Sequence, residues 1–433
     1  MFRKFVQFTN FRSFIMIFER KLYLNRLISG KDNGLVKIVT GIRRCGKSYL
    51  LFNLFYNHLL EQGVKEDNII SMAFDDWSNR PYCDPDSLLN YINSRIHDRK
   101  EKYYILFDEV QLLDHFVEVL LTLMHKQNCD IYVTGSNSRF LSSDVVTEFR
   151  GRGDEIRLHP LTFSEYYNKF QGELRVAWRN YSRFGGLPQV ALLDDETSKE
   201  NYLTNLHEST YLRDVVERHH LRDEEGIREV VQILASSIGS PTNPRRISNT
   251  FKSVGKIQLS DKTINNYITF LKEAFIINES LRYDVKGRKY IGTETKYYFA
   301  DMGLRNAVLN FRQQEPTHMM ENIIYNELIA RGYRVDVGAV EIWITDKNGK
   351  RKRARLEIDF VINRNAERIY IQSAYSLPTV EKQQQEQRSL TNVDDSFRKV
   401  ILTADDVMPW TNEQGIRFIN VWDFLLDDTL LLK

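Results

Sequence analysis

From Leu35 onward, short and nearly continuous apolar runs alternate with stretches of helical periodicity. The order is LVKIVTG, a helix after Ser48, IISMAF, a helix near Ser87 to Ile96, YYILFDEV, a helix from Phe116, and DIYVTGS. Strands that are apolar throughout, with helices between them, predict a parallel sheet covered on both faces. EIRLHPLTF, from Glu155, predicts one more strand before the helix SEYYNKF. An α/β domain over 16–170 follows from this βαβα order, behind an N-terminal extension of residues 1–15.

The pattern changes after that. Residues 171–310 read as mostly helical, with FGGLPQV as a break and ENYLTNLHESTYLRDVVERHH as a long amphipathic stretch. Within them REVVQILASSI, LSDKTINNYITFLKEAFII, SLRYDVKGRKYI and KYYFADMGL give helix, helix, strand, strand, the order of a winged helix. Ser260 caps the second of those helices and Lys286-Gly287 marks the hairpin tip. Residues 311–433 run αβββαβ: ENIIYNELIARGY, VDVGAVEIWITD, RARLEIDFVI, RIYIQSAYS, a glutamine-rich helix EKQQQEQRSL, and RKVILTA.

A chain of 433 residues has room for two to four domains. At 42% apolar and 27% charged it has the balance of a soluble globular protein, and a net charge of +2 leaves nucleic-acid contact to local clusters. Cys45, Cys83 and Cys129 are far apart and form no C-x-x-C pair, which excludes a disulfide framework and fits a reducing cytoplasm. His219 and His220 point to different sides of a helix and make no metal pair. No run reaches the roughly 20 apolar residues that span a bilayer, so no membrane partner is expected. The opening MFRKFVQFTNFRSFIMIF is broken by polar residues and lacks a small-residue cleavage site, leaving an upstream start, a tail or a weak amphipathic anchor.

Candidate chemistry concentrates after the first strand. Gly41-Ile42-Arg43-Arg44-Cys45-Gly46-Lys47-Ser48 matches G-x-x-x-x-G-K-[ST], directly between a strand and a helix, with Tyr49 the next helical residue. Glycines let backbone N–H groups approach phosphates, the helix N-terminus adds positive potential, Lys47 reaches the β/γ-phosphates of ATP and Ser48 ligates Mg²⁺. The strand YILFDE ends in Asp108, expected in the Mg²⁺ shell, and Glu109, expected to polarise the attacking water. Ser136 and Asn137, after the next strand, are placed to sense the γ-phosphate or orient water. Arg150 and Arg152, in FRGRGDE, offer an arginine finger to a neighbouring subunit, hence a homo-oligomer; the alternative is a solvated glycine-flanked turn.

GIRRCGKS, YYILFDEVQLL, VTGSNSRFL, GRGDEIRLHPLTFSEY, FGGLPQV and KYYFADMGLRNA together resemble a widespread prokaryotic family of AAA-type ATPases, over nearly the whole chain from Met16. The resemblance implies an AAA-type P-loop core, a winged helix and a C-terminal domain of restriction-endonuclease type. It supplies no substrate.

In that nuclease fold a helix glutamate, a strand aspartate and a following D/E-x-K collect Mg²⁺. Asp359 fits the aspartate and Glu321 or Glu327 the helix acid, with Glu357 on the same strand face as Asp359. The D/E-x-K position holds Gln372-Ser373-Ala374, which removes an anionic ligand and the lysine, so an inactive domain is expected. The basic hairpin of Lys347, Lys350, Arg351, Lys352, Arg353 and Arg355 reads as a phosphate-contacting surface or as a solvated protector of a sheet edge. DNA contact is also expected from Lys262, Asn265 and Asn266 on the second winged-helix helix, and from Arg282, Lys286, Arg288 and Lys289 near the wing. The expected function is an ATP-driven switch or remodeller acting on a DNA or protein partner; alternatives are an ATP-gated nuclease and a nucleotide-dependent scaffold.

Overall fold

Five strands, β1 (Val36–Thr40), β2 (Ile69–Ala73), β3 (Tyr103–Asp108), β4 (Cys129–Thr134) and β5 (Gly153–Arg157), pair in parallel in the order β2-β3-β4-β1-β5. Every residue of β1 and β3 is buried, as continuous apolar strands require. One face packs Val39, Leu106 and Tyr132 under Leu50, Leu54 and Phe55 of the helix that follows the glycine loop. The other packs Ile38, Ile105 and Val133 against Leu88, Leu120 and Leu123. The computed structural model describes residues 18–135, 149, 151–170, 172–254, 259–345, 349–364 and 367–432.

Beyond β5 come the helices Phe163–Phe170, Leu174–Phe184 and Glu196–Leu206; the last continues through a π-helical turn, His207–Leu212, into Arg213–Arg218. Three more follow, Glu224–Ser236, Pro244–Val254 and Asp261–Glu273, and then the hairpin of β6 (Ile277–Asp284) and β7 (Lys289–Phe299). Ser260 caps the third, its hydroxyl accepting from the Thr263 N–H. Pro244–Val254 is absent from the sequence reading, which placed only two helices before the hairpin.

The tail shows the expected αβββαβ run: helix Pro316–Ala330, β8 (Arg334–Thr345), β9 (Arg351–Arg364), β10 (Glu367–Ala374), helix Val380–Thr391 and β11 (Arg398–Thr403). It continues with β12 (Trp410–Thr411), β13 (Ile416–Asn420) and the helix Val421–Leu426. The β6–β7 hairpin does not stand apart from this domain. Arg282, Tyr283 and Asp284 of β6 pair in parallel with Val337, Gly338 and Ala339 of β8, giving one eight-stranded sheet in the order β12-β13-β11-β10-β9-β8-β6-β7. The sheet therefore crosses the expected boundary at 310. A two-stranded hairpin is marginal alone, and the open edge of β8 satisfies it.

Candidate functional site

Because the first sheet is parallel, the last residues of its strands share one edge, and there Thr40, Asp108 and Thr134 meet the glycine loop. Gly41 turns the chain at φ +138°, and a Cβ there would lie 2.2 Å from the Leu158 carbonyl oxygen, so only glycine fits. Gly46 takes φ +98° and accepts the Leu50 N–H at 2.9 Å, starting the helix. Lys47 is buried within the curve of the loop, its Nζ donating to the carbonyls of Gly41 (3.0 Å) and Ile42 (3.1 Å). Ile42 packs into the core, and Cys45 turns its thiol inward to the Leu158 carbonyl, leaving only its backbone for a ligand. Arg44 and Ser48 are exposed and Tyr49 half-buried.

Asp108 is buried and accepts a hydrogen bond from the Thr134 hydroxyl, and the Ser48 hydroxyl also favours its ionised form. Burial pushes its carboxyl above the usual range, the two hydroxyls pull it back, and Glu109 and Asp75 push it up further. A divalent cation between Ser48 and Asp108 would favour the ionised form, so the pair fits a metal chemically. Glu109 sits at φ +51°, donates its N–H to Thr134 Oγ1 at 3.3 Å, and accepts a bond from the Gln111 amide. Thr134, which the sequence reading passed over, thus touches both acids; a hydroxyl at a strand end beside an acidic strand end was the available signal. Asn137 and Arg150 lie outside the described residues, as does Ser136.

The helical region reaches over the loop. Pro188, in the FGGLPQV break, lies 3.7 Å from the position a Gly46 Cβ would take. Tyr211 donates its hydroxyl to the Arg43 carbonyl at 2.7 Å, and the Arg43 guanidinium donates to both oxygens of Asp214 at 2.9 and 2.7 Å. Past Asp214, the ring of His219 stacks on Phe270 with centroids 3.6 Å apart and its Nε2 lies 3.5 Å from Glu273, both on the helix Asp261–Glu273. None of this is visible in spacing, since Arg43 and Asp214 are distant in sequence.

Residues 33–167 match a family model described as an AAA domain, and 175–315 one described as a domain of unknown function. An uncharacterized protein of Haemophilus influenzae is 31% identical over 412 residues, covering 94% of this chain and 98% of that one. The chain belongs to an AAA-type ATPase family. An uncharacterized protein of Methanocaldococcus jannaschii is 26% identical to this AAA-type chain, over 90% of it and 88% of its own length. The Walker-type ATPase of Pyrococcus abyssi overlaps 68% of it and 96% of its own chain, with 15% identity and a TM-score of 0.46. Membership in the AAA-type family implies nucleotide binding and nucleoside-triphosphate hydrolysis, usually with Mg²⁺.

Other expected residues fall elsewhere on the AAA-type chain. Arg152 is exposed at the start of β5, where its carbonyl accepts the Val36 N–H. That is the sheet end opposite the phosphate loop, roughly 15 Å of strand away, so it does not reach its own subunit's loop. Lys262, Asn265 and Asn266 are exposed along one helix, and Lys286, Arg288 and Lys289 along the hairpin. Arg282 is not available to DNA: it is buried and bonded to Glu294 at 3.3 Å. In the basic hairpin Lys347 lies outside the described residues; Lys350, Arg351, Lys352, Arg353 and Arg355 are exposed, with Arg353 stacked over the exposed Trp343. In the tail, Gln372 bonds Glu386 and Ser389, and Glu327 pairs with Arg331. Glu321, Glu357 and Asp359 converge on Lys296 of β7, a residue to which the sequence pattern gives no role, and not on a lysine at the D/E-x-K position, where Ala374 stands. Among the described residues no helix is long and apolar enough to cross a membrane.

Proposed function

We propose that this chain is a Mg²⁺-dependent ATPase switch in which the phosphate loop drives the helical region through Arg43. Gly41 to Tyr49 would cradle ATP, with Lys47 released from the Gly41 and Ile42 carbonyls to the β/γ-phosphates. Ser48 and Asp108 would hold Mg²⁺, which supplies charge neutralisation of the phosphates, and Glu109 would orient the attacking water. The observation that carries the reading is the Arg43–Asp214 pair beside the Tyr211 bond. A loop that changes when it takes phosphate must pull or release Asp214, and His219 passes that movement to the helix Asp261–Glu273. Hydrogen exchange of residues 261–273 with and without ATP tests it. Altered protection is expected, and identical exchange would overturn the coupling.

The partner favoured by the surface is duplex DNA. Lys262, Asn265 and Asn266 lie on the exposed face of the helix Asp261–Glu273, just before the β6–β7 hairpin, and on the second basic surface Arg353 stacks over Trp343. Salt-sensitive stimulation of ATP turnover by duplex DNA is expected; stimulation by a cell extract but not by DNA would indicate a protein partner instead. An ATP-gated nuclease is less well supported, because Gln372 stands where an anionic ligand belongs and is held by Glu386 and Ser389.

A further inference from the structure

Asp301, two residues past the end of β7, is buried and reaches across to the FGGLPQV segment. One of its oxygens accepts the Gly186 N–H at 2.7 Å and the other the Leu304 N–H at 3.1 Å, while the N–H groups of Leu187 and Gly303 also favour its ionised form. The seam admits no side chain. A Cβ on Gly185, which sits at φ +75°, would lie 2.1 Å from Asp301 Oδ1.

The Asp301 side of this seam is firmly held. β7 pairs with β6 on one flank, and on the other Thr242 exchanges both main-chain bonds with Thr295, at 2.9 and 3.0 Å. At the end of the strand Asn322, of the helix Pro316–Ala330, donates to the Phe299 carbonyl and accepts the Phe299 N–H, each at 2.8 Å. The facing side is looser. It turns on two adjacent glycines, and against them lies a cavity of about 20 Å³ whose lining includes Thr162, Gly185, Gly186, Asp301 and Asn326. Asn326 Oδ1, buried there, has no hydrogen-bond partner among the described residues. The turn at 185–188 thus has the backbone freedom and the room to shift, and Asp301 is what ties it down. Two residues beyond Gly186, Pro188 is the residue that meets the last glycine of the phosphate loop, 3.7 Å from the position of a Gly46 Cβ.

We propose that Asp301 is a positioning residue that latches the turn 185–188 onto the phosphate loop, so that nucleotide leaves only when this turn lifts Pro188 away from Gly46. The claim rests on the ATPase reading and adds a control to it. The anchor lies at the end of β7, within the eight-stranded sheet, so the sheet of the tail governs how long nucleotide stays bound.

The test is release of a fluorescent ATP analogue from the full chain, chased with unlabelled ATP at neutral pH. Asp301→Asn keeps the size of the side chain but replaces one accepting oxygen by a donor, and Pro188→Ala removes the ring over Gly46. Each should quicken release roughly tenfold, while single-turnover hydrolysis of bound ATP keeps its rate. Because Asp301 acts through Pro188, the double variant Asp301→Asn, Pro188→Ala should release no faster than either single variant. A role in stability alone would leave release unchanged or make the two effects multiply, and either result overturns the latch. Should Asp301→Asn fail to fold, Pro188→Ala carries the test, and release from it at the parental rate has the same force. A parent that binds no analogue would sink the ATPase reading and the latch together; binding with parental release in folded variants sinks the latch alone.

Discussion

Arg43 of the phosphate loop grips Asp214 of the helical region with both carboxylate oxygens within 2.9 Å. Both side chains are partly exposed, so the pair contributes only about 0.5–1 kcal/mol to stability. Its loss should be felt in communication and not in folding. Asp214→Ala is expected to melt close to the parent and to bind ATP, but to lose the ATP-dependent change in hydrogen exchange across 261–273. A variant that retains that change would show that the signal travels by another route.

Lys47→Ala and Glu109→Gln should fail in different ways. Removing a charged phosphate contact is expected to weaken ATP binding roughly 10- to 100-fold. Losing the water-orienting carboxylate should leave binding intact and lower turnover about 100-fold or more. Equilibrium binding of a fluorescent ATP analogue, set beside single-turnover rates, separates the two. Normal single-turnover rates in Glu109→Gln would remove Glu109 from the chemistry.

Asp301 accepts the N–H groups of Gly186 and Leu304 while fully enclosed, joining FGGLPQV to KYYFADMGL. Burial pushes its carboxyl up to about 6, with the backbone bonds pulling it back. The raised pKa belongs to the folded acid, so between the ordinary carboxylate value and pH 6 the folded state keeps a proton that the unfolded chain has released. Its contribution is therefore most favourable below that window and declines as pH rises through 6, by roughly 3 kcal/mol. Urea midpoints across pH 4 to 7 should fall more steeply for the parent than for Asp301→Asn. Parallel curves would mean that Asp301 titrates alike in both states.

Arg152 stands at the sheet end away from its own loop, so any finger role must be played on a neighbour's nucleotide. Mixing Lys47→Ala protein with Arg150→Ala, Arg152→Ala protein should restore part of the ATPase activity, a finger being worth on the order of 10³ in rate. If the two proteins co-assemble and stay inactive, neither arginine acts across the boundary.

Local signals carried the phosphate loop and the order of the elements, because a glycine turn between an apolar strand and a helix is specified by neighbours in sequence. Asp108 was legible for the same reason. What escaped was long-range: Tyr211 and Asp214 reaching the loop, Thr134 touching two acids, and Lys296 arriving from a hairpin on the other side of the expected boundary at 310. Cys45 shows the limit within a motif. Spacing placed it in the loop, but only the Leu158 carbonyl reveals that its thiol faces the core.

The pairing of β6 with β8 also bears on how this chain can be cut and inherited. A fragment ending at 310 would present the bare flank of β6, and one starting at 311 the bare flank of β8, each a ready template for sticking to another copy. Helical region and tail are thus stitched together by main-chain bonds and not merely tethered. Recombination that swapped one without the other would have to rebuild a seam in mid-sheet, which favours their descent as a single cassette.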